Sequence, residues 1–372
     1  MTPLPSAASP AAGLPRRVGV VGSGLIGASI GLALRRVGVE VLLRDTDPEQ
    51  VKLAEAMGAG SVWQGERVEH AVVAVPPHAV AAELRAVQVA GIAATASDVA
   101  SVKSRPIAEA VVAGVDLTAW CPAHPIAGRE RGGAASAQAD LFAERTWVLC
   151  PIPHTSAAAL AATEALARAC GALPVRATPA RHDEAMAALS HLPQVVSSLL
   201  AAAAPDLRPG EVALAGQGFR DATRLAESDP TLWSSILEGN RGPVAAHARR
   251  LAAELGALAD ALDHASEASV TKVVTGMMER GRAGRAQLPR KAGTQAARPW
   301  GWVGVVLDDR PGQLAALLTA IGEWQVNLED IGPFEHSLEA PAGVIELAVA
   351  PEVAGELVDR LIAAGWVAYH RS

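Results

Sequence analysis

The chain has 372 residues, a formal net charge of −7, half of its residues hydrophobic and only 3% aromatic. That length accommodates two or three domains, and a negative balance excludes a global basic field for recruiting nucleic acid. The three cysteines (Cys121, Cys150 and Cys170) are odd in number, far apart and without a C-x-x-C spacing, so free thiols in a reducing compartment are expected, with no zinc or other metal site.

Taken from the start, residues 1–14 read as a flexible Pro/Ala tail without the basic start and apolar core of a signal peptide. No apolar run looks long enough to cross a membrane, so a cytoplasmic protein is expected. Arg17–Val21 is a β-rich run followed by Gly22-x-Gly24-x-x-Gly27 and then by a helix that stops at Gly38. Strand, glycines and helix come in the order a dinucleotide-binding turn requires. Gly22 allows the tight turn, Gly24 lets backbone approach a pyrophosphate, Gly27 lets helix and strand pack, and the helix N-terminus faces the phosphates. The next strand, Val39–Leu43, ends at Asp45, where a carboxylate can take the ribose hydroxyls and repel a 2′-phosphate. NAD is therefore favoured over NADP, although Arg44 lies next door. Leu25 and Ile26 in the turn, and Val75 and Pro76 at a later strand end, complete the expected cofactor-binding set.

Strand and helix alternate through residues 15–177: helix 48–57, strand 71–75, a helix through Val87, strand 94–99, helix 102–112, strand 147–151 and helix 157–170. This implies a doubly wound, mostly parallel sheet. Residues 178–280 turn all-helical and alanine-rich, with helices expected over 181–204, 208–216, 229–238 and 241–280; such a block suits packing against a copy of itself in a homodimer. Residues 281–298 carry five basic residues, no acids and no apolar periodicity, and read as a linker. Residues 299–372 read as strand 302–307, helix 314–324, strands 326–331 and 343–349, helix 353–364 and strand 366–370, the βαββαβ order of a ferredoxin-like unit.

Four stretches carry candidate chemistry. Ser101 and Lys103 follow a strand end, where ligands lie in such sheets; Ser101 could equally cap the next helix. His124 precedes Pro125 and a turn at Gly128, and a histidine accepts a proton near neutral pH. His182, Ser190 and His191 lie on the first long helix, where polar residues are costly unless paired or in contact with ligand. Arg220 and Arg224 flank Asp221, and an arginine fork suits a substrate carboxylate, while one of the two could pair with Asp221 at the surface.

The motifs VGSGLIGASIGLALRR, SDVASVKS, HPIAGRERGG, HDEAMAALSHLP and GFRDATRLAESDPTLW, in this order, resemble the prephenate dehydrogenase family over residues 17 to about 280. RPGQLA at 310–315 and NLEDI at 327–331 resemble an ACT domain, a small amino-acid-binding module. The resemblance implies a Rossmann-type domain, an all-α dimerisation domain and an ACT domain. It implies NAD-dependent oxidative decarboxylation of prephenate, or of its amino analogue arogenate, in tyrosine biosynthesis. His124 would draw off the proton of the ring hydroxyl as hydride leaves, Ser101 would contact that hydroxyl and the nicotinamide, and Arg224 would bind a substrate carboxylate. Glu130 and Asp221 would shape the pocket, with Ser190 and Gln194 also lining it. An amino acid, tyrosine first among them, would bind near Gly312 and Asn327. Many prephenate-specific members read SHLPH where this chain ends in Gln194, which cannot carry charge and bears on the choice between keto and amino substrates. A non-catalytic sensor of NAD and amino acids is the alternative of another class, and the joint presence of His124, Ser101 and Arg224 argues against it.

Overall fold

The computed structural model describes residues 13–128, 132–206, 208, 210–264, 266–288, 300–308, 310–332, 335–336 and 342–371. Most of the tail expected over 1–14, Glu130, and the later part of the stretch read as a linker lie outside these residues. The chain divides into two units, 1–265 and 266–372, each with its own contacts.

The first unit opens with β1 (Arg17–Val21), α1 (Leu25–Arg36), β2 (Glu40–Arg44), α2 (Pro48–Ala56), β3 (Ser61–Val62), β4 (Val68–Val73), α3 (Val80–Val89), β5 (Ala93–Asp98), α4 (Ser104–Val112) and β6 (Trp120–Cys121). The six strands form one sheet in the order β3-β2-β1-β4-β5-β6, every neighbouring pair parallel. This is the doubly wound order, with its switch point between β1 and β4. Near-continuous apolar strands such as Val18–Val21 and Ala71–Val73 fit a sheet covered on both faces. One face buries Val18, Val20, Ile30, Leu34 and Leu43, and the other Val21, Leu42, Val73, Leu84 and Trp120.

The sheet does not continue as the sequence suggested. Pro122 follows β6 and lacks the N–H that a ladder needs. The chain leaves the sheet there as β7 (Ala123–Pro125), which pairs antiparallel with β8 (Thr146–Leu149). After α5 (Ala157–Ala169), β9 (Leu173–Arg176) pairs parallel with β8, so the strand expected at 147–151 belongs to a separate three-stranded sheet. The switch at Pro122 puts His124 at the carboxyl edge of the large sheet.

The helical part begins with α6 (Pro179–Met186) and α7 (Leu192–Ala202), joined by a π-helical turn over Ala187–His191. Pro193 cannot donate to the carbonyl four residues back, which accounts for the wide turn. Together they form a 24-residue helical run that is apolar and long enough, by length and composition alone, to cross a membrane. This corrects the expectation that no such run exists. Its inner face carries the buried polar residues His182, Asp183, His191 and Gln194. Next come α8 (Gln217–Thr223), α9 (Pro230–Gly239) and α10 (Arg241–His264). The helix expected at 208–216 is replaced by a short 3₁₀ turn at Glu211–Leu214.

In the second unit α11 (Glu267–Ala286) separates from α10, so the helix expected over 241–280 is two helices, and α11 runs into the stretch read as a linker. Then come β10 (Gly301–Asp308), α12 (Gln313–Glu323), β11 (Asp330–Ile331), β12 (Glu335–His336), β13 (Ala342–Val349), α13 (Pro351–Ala363) and β14 (Val367–Arg371). These strands make an antiparallel sheet with β10 between β13 and β14. Leu317 and Ile321 of α12 and Leu357 and Leu361 of α13 bury against Val303, Val305, Ile345 and Leu347.

Candidate active site

Because the six strands are parallel, their carboxyl ends share one edge, and the glycine turn, Asp45, Ser101 and His124 lie at or just beyond those strand ends. Gly22 adopts φ +97, and its N–H donates to the Arg44 carbonyl at 2.7 Å. A Cβ on Gly22 would stand 2.2 Å from the Ala74 carbonyl oxygen, and one on Gly27 would stand 1.8 Å from the Gly22 oxygen. Gly24 has nothing within 4 Å of a notional Cβ. Two glycines therefore close the turn, and the third leaves its outer face open, as a pyrophosphate requires. Val75 lies beside Gly22, Leu25 and Ile26 are half-buried in the first turn of α1, and Pro76 is exposed at the neighbouring strand end. The buried Ser23 hydroxyl oxygen has no partner among the described residues.

Asp45 accepts from the N–H groups of Ser23 at 2.6 Å and Asp47 at 3.0 Å, which aims its carboxylate at the glycine turn. Arg44 is drawn away: its guanidinium bonds Glu83 at 2.9 Å and lies over the Trp63 ring, 5.6 Å from its centre. A guanidinium so engaged offers little to a 2′-phosphate. The turn thus fits a dinucleotide, which Gly22, Gly24, Gly27 and Asp45 would hold.

A second group is built around the peptide before His124. Asp98, at the end of β5, accepts from Ala123 N–H at 3.3 Å, Trp120 Nε1 at 3.1 Å and Ala100 N–H at 3.1 Å. Lys103 forms a fully buried ion pair with Asp98 and donates to the Ala123 carbonyl at 2.6 Å. The ion pair therefore grips both polar groups of Ala123 and fixes the backbone from which His124 projects. Lys103 follows a strand end where ligands lie in such sheets, but its charge is spent on Asp98.

His124 itself is half-buried. Its Nδ1 lies 2.9 Å from His182 Nε2, and the rings meet edge to face at 76°. His182, buried on α6, bonds Asp183 Oδ1 through Nδ1 at 2.9 Å. Asp183 also accepts from the N–H groups of Lys103 and Ser104, each at 2.8 Å. That answers the question of the α4 cap: Lys103, not Ser101, occupies the cap position, and the free N–H groups are satisfied by a carboxylate from α6. Ser101 is half-buried in the same turn, and its hydroxyl bonds no described residue. Burial works against ionisation of Asp183, but His182, Ser104 and the two backbone donors outweigh it and hold its carboxyl below the usual value. Burial, with His182, Lys103 and His191 nearby, keeps His124 well below the usual histidine range, so it is neutral and able to accept a proton at pH 7.

The π turn changes which residues face inward. Eight residues apart, His182 and Ser190 would lie close to one face of a regular helix, but His182 is buried and Ser190 only half-buried. His191 is buried instead, with Nδ1 3.1 Å from Asn240 Nδ2 and its ring against Trp233, while Ser190 is half-buried. Among the described residues His191 Nε2 is buried without a partner, and burial lowers its pKa to about 4. Gln194 is buried and engaged internally: it donates to the Leu225 carbonyl at 2.7 Å and accepts from Ser228 at 3.3 Å. It thereby ties α7 to the turn bearing Arg224, which is exposed. Asp221 accepts from Gln217 at 2.9 Å, the partner expected to be an arginine. In the second unit Gly312 has φ +89 at the start of α12, and Asn327 donates to Glu329 at 2.6 Å.

The sequence does not by itself join His182, Asp183 and Asn240 into one network. The available signal is the adjacent His-Asp pair near the start of an apolar helix, since buried polar groups need partners.

A parallel sheet with an open glycine turn and a carboxylate at the next strand end, beside a neutral, hydrogen-bonded imidazole, defines a dinucleotide-dependent oxidoreductase. Comparison with known proteins gives the particular family. The prephenate dehydrogenase nucleotide-binding domain matches residues 30–175, and the prephenate dehydrogenase dimerization domain matches residues 178–276. The chain is 33% identical to the probable prephenate dehydrogenase NovF of Streptomyces niveus over 94% of this chain and 98% of that protein. It is 29% identical to the prephenate dehydrogenase of Bacillus subtilis over 60% of this chain and 64% of that one. Among solved structures, Synechocystis arogenate dehydrogenase is 25% identical, with a TM-score of 0.60 over 72% of this chain and 99% of that one. Prephenate dehydrogenase of Aquifex aeolicus shares the fold at 22% identity, with a TM-score of 0.64 over 72% and 98%. The chain belongs to the prephenate dehydrogenase family.

Proposed function

We propose that the chain oxidises prephenate, with NAD as hydride acceptor, to 4-hydroxyphenylpyruvate and carbon dioxide in tyrosine biosynthesis. The observation that carries this reading is the His124 imidazole, half-buried and held through Nδ1 at the carboxyl edge of the sheet, with burial favouring its uncharged form. When bound, NAD accepts hydride from the ring carbon that bears the hydroxyl. His124 Nε2 takes the hydroxyl proton as that carbon becomes a carbonyl, which contributes about 10²–10⁴-fold. Ser101 holds the same hydroxyl. Arg224 clamps a substrate carboxylate and Gln194 orients the turn that carries it, with Asp221, Ser190 and Glu130 shaping the pocket around them. Loss of carbon dioxide leaves an aromatic ring and makes the step strongly favourable.

Arogenate is the second substrate to test. Uncharged Gln194 and the likeness to the Synechocystis arogenate dehydrogenase both support it. Initial rates of NADH formation with prephenate and with arogenate, each with NAD and NADP, decide between them. Prephenate with NAD is expected to have the highest kcat/KM, and a higher value for arogenate reverses the assignment.

The C-terminal unit is read as an ACT-like module that binds tyrosine near Gly312 and Asn327. Its βαββαβ order, apart from the additional two-residue β12, and the left-handed Gly312 before α12 support this. Asn327→Ala should leave basal kcat unchanged and raise the tyrosine concentration for half-inhibition; unchanged inhibition moves the effector elsewhere. The enzyme is read as a cytoplasmic homodimer. The dimerization-domain match and the exposed Leu189, Leu199 and Leu214 support the dimer, and three buried free cysteines support the reducing compartment.

A further inference from the structure

We infer that His182, backed by Asp183, is a positioning residue that fixes the tautomer of His124 and then receives the proton His124 passes on. The inference rests on the reading of His124 as base. His182 Nδ1 faces the Asp183 carboxylate at 2.9 Å and therefore carries a hydrogen. In neutral His182 the other nitrogen, Nε2, is then an acceptor, and it lies 2.9 Å from His124 Nδ1. The hydrogen between the rings belongs to His124 Nδ1. That leaves His124 Nε2 as a bare acceptor, the state a base requires. Without an acceptor at Nδ1, a free imidazole favours hydrogen on the other nitrogen, which would present the substrate with a donor.

The same geometry handles the charge. His124 is faced by His182 from α6, by His191 from the π turn and by Lys103 from the β5–α4 turn, with Asp98 taken up by Lys103. A cation on His124 is poorly placed among them. His182 is faced by the Asp183 carboxylate, with His191 nearby. As the substrate hydroxyl proton arrives at His124 Nε2, the Nδ1 hydrogen moves to His182 Nε2. His124 ends neutral with hydrogen on Nε2, and His182 ends as an imidazolium against Asp183; no other bond changes. Asp183 also lines a cavity of about 630 Å3, with Ser104, Glu184, Glu238 and Asn240 in its wall.

Asp183 also caps α4, so substituting it would confound the two roles, and His182 is the residue to change. His182→Gln keeps an acceptor for His124 Nδ1–H but cannot take a proton; His182→Phe keeps bulk and does neither. Steady-state kinetics with prephenate and NAD from pH 5 to 9 are to be compared with wild type and His124→Asn. His182→Phe is expected to lose about 10²–10³-fold in kcat and His182→Gln about 10-fold, with KM for NAD within about twofold. The acid limb of kcat/KM should move to lower pH in His182→Gln, because half-buried His124, held well below the usual histidine range, is then the only imidazole of the pair; a merely structural role leaves it in place. A wild-type kcat in His182→Gln, or an unmoved acid limb, overturns the relay, and that outcome does not depend on whether the Phe variant folds. Inactive His124→Asn with normal His182 variants removes the relay alone, whereas active His124→Asn removes the base assignment and the relay with it.

Discussion

Lys103→Met removes one charge from the ion pair beneath His124 while keeping nearly the same volume. Both side chains of the pair are fully buried. Breaking such a pair leaves an uncompensated charge and costs about 3–5 kcal/mol. Asp98 would retain its three N–H donors, from Ala100, Trp120 and Ala123, so the low end, about 3 kcal/mol, is expected. For a unit of this size each kcal/mol moves Tm by about 2–4 °C, so the transition should fall by about 6–12 °C. Differential scanning calorimetry reads this directly. Asp98→Asn combined with Lys103→Met removes both charges while the amide oxygen still accepts from the backbone, and at least half the loss should return. Activity should fall with Lys103→Met as well, because the Ala123 carbonyl loses its donor and His124 its fixed backbone. A Tm drop of less than about 2 °C would refute the reasoning that this pair is a desolvated clamp.

Two further substitutions separate folding from binding. Gly24→Val meets no neighbour, so Tm should hold while KM for NAD rises at least about 10-fold; Gly22→Val meets the Ala74 carbonyl at φ +97 and should lower Tm by several degrees. His70, fully buried on β4 between the hydroxyls of Thr95 and Ser97, has its pKa lowered by burial to about 3. The unfolded chain takes up that proton near pH 6.5 and the folded chain does not. Its contribution is therefore present above pH 6.5 and is lost as pH falls from 6.5 towards 3, by up to about 1.4 kcal/mol per unit. Urea unfolding at pH 7 and pH 5 should show that slope in the wild type and a shallower one in His70→Gln; equal slopes would exclude His70 as its source.

The glycine turn, Asp45 and the strand–helix alternation were legible because each is local: a strand, a turn and a helix read within about thirty residues. The departures arose where long-range partners decide. Pro122 reads as a turn residue, and only pairing with β8, more than twenty residues on, makes it the point where a strand changes sheets. The π turn before Pro193 shifts the inward face from Ser190 to His191, which a fixed helical period could not reveal. In the alanine-rich stretch around 208–223 there is little contrast between faces, so the helix fell at Gln217–Thr223 rather than 208–216. His124 was visible as a candidate base, but its partner lies 58 residues away, and no spacing rule joins them.

The most direct test of the central claim is the kcat of His124→Asn with saturating prephenate and NAD at pH 7.5, read as NADH absorbance, together with the Kd for NAD. A loss of about 10²–10⁴-fold in kcat with NAD affinity within about twofold is expected if this imidazole removes the hydroxyl proton. A variant that turns over at the wild-type rate would show that the proton leaves by another route.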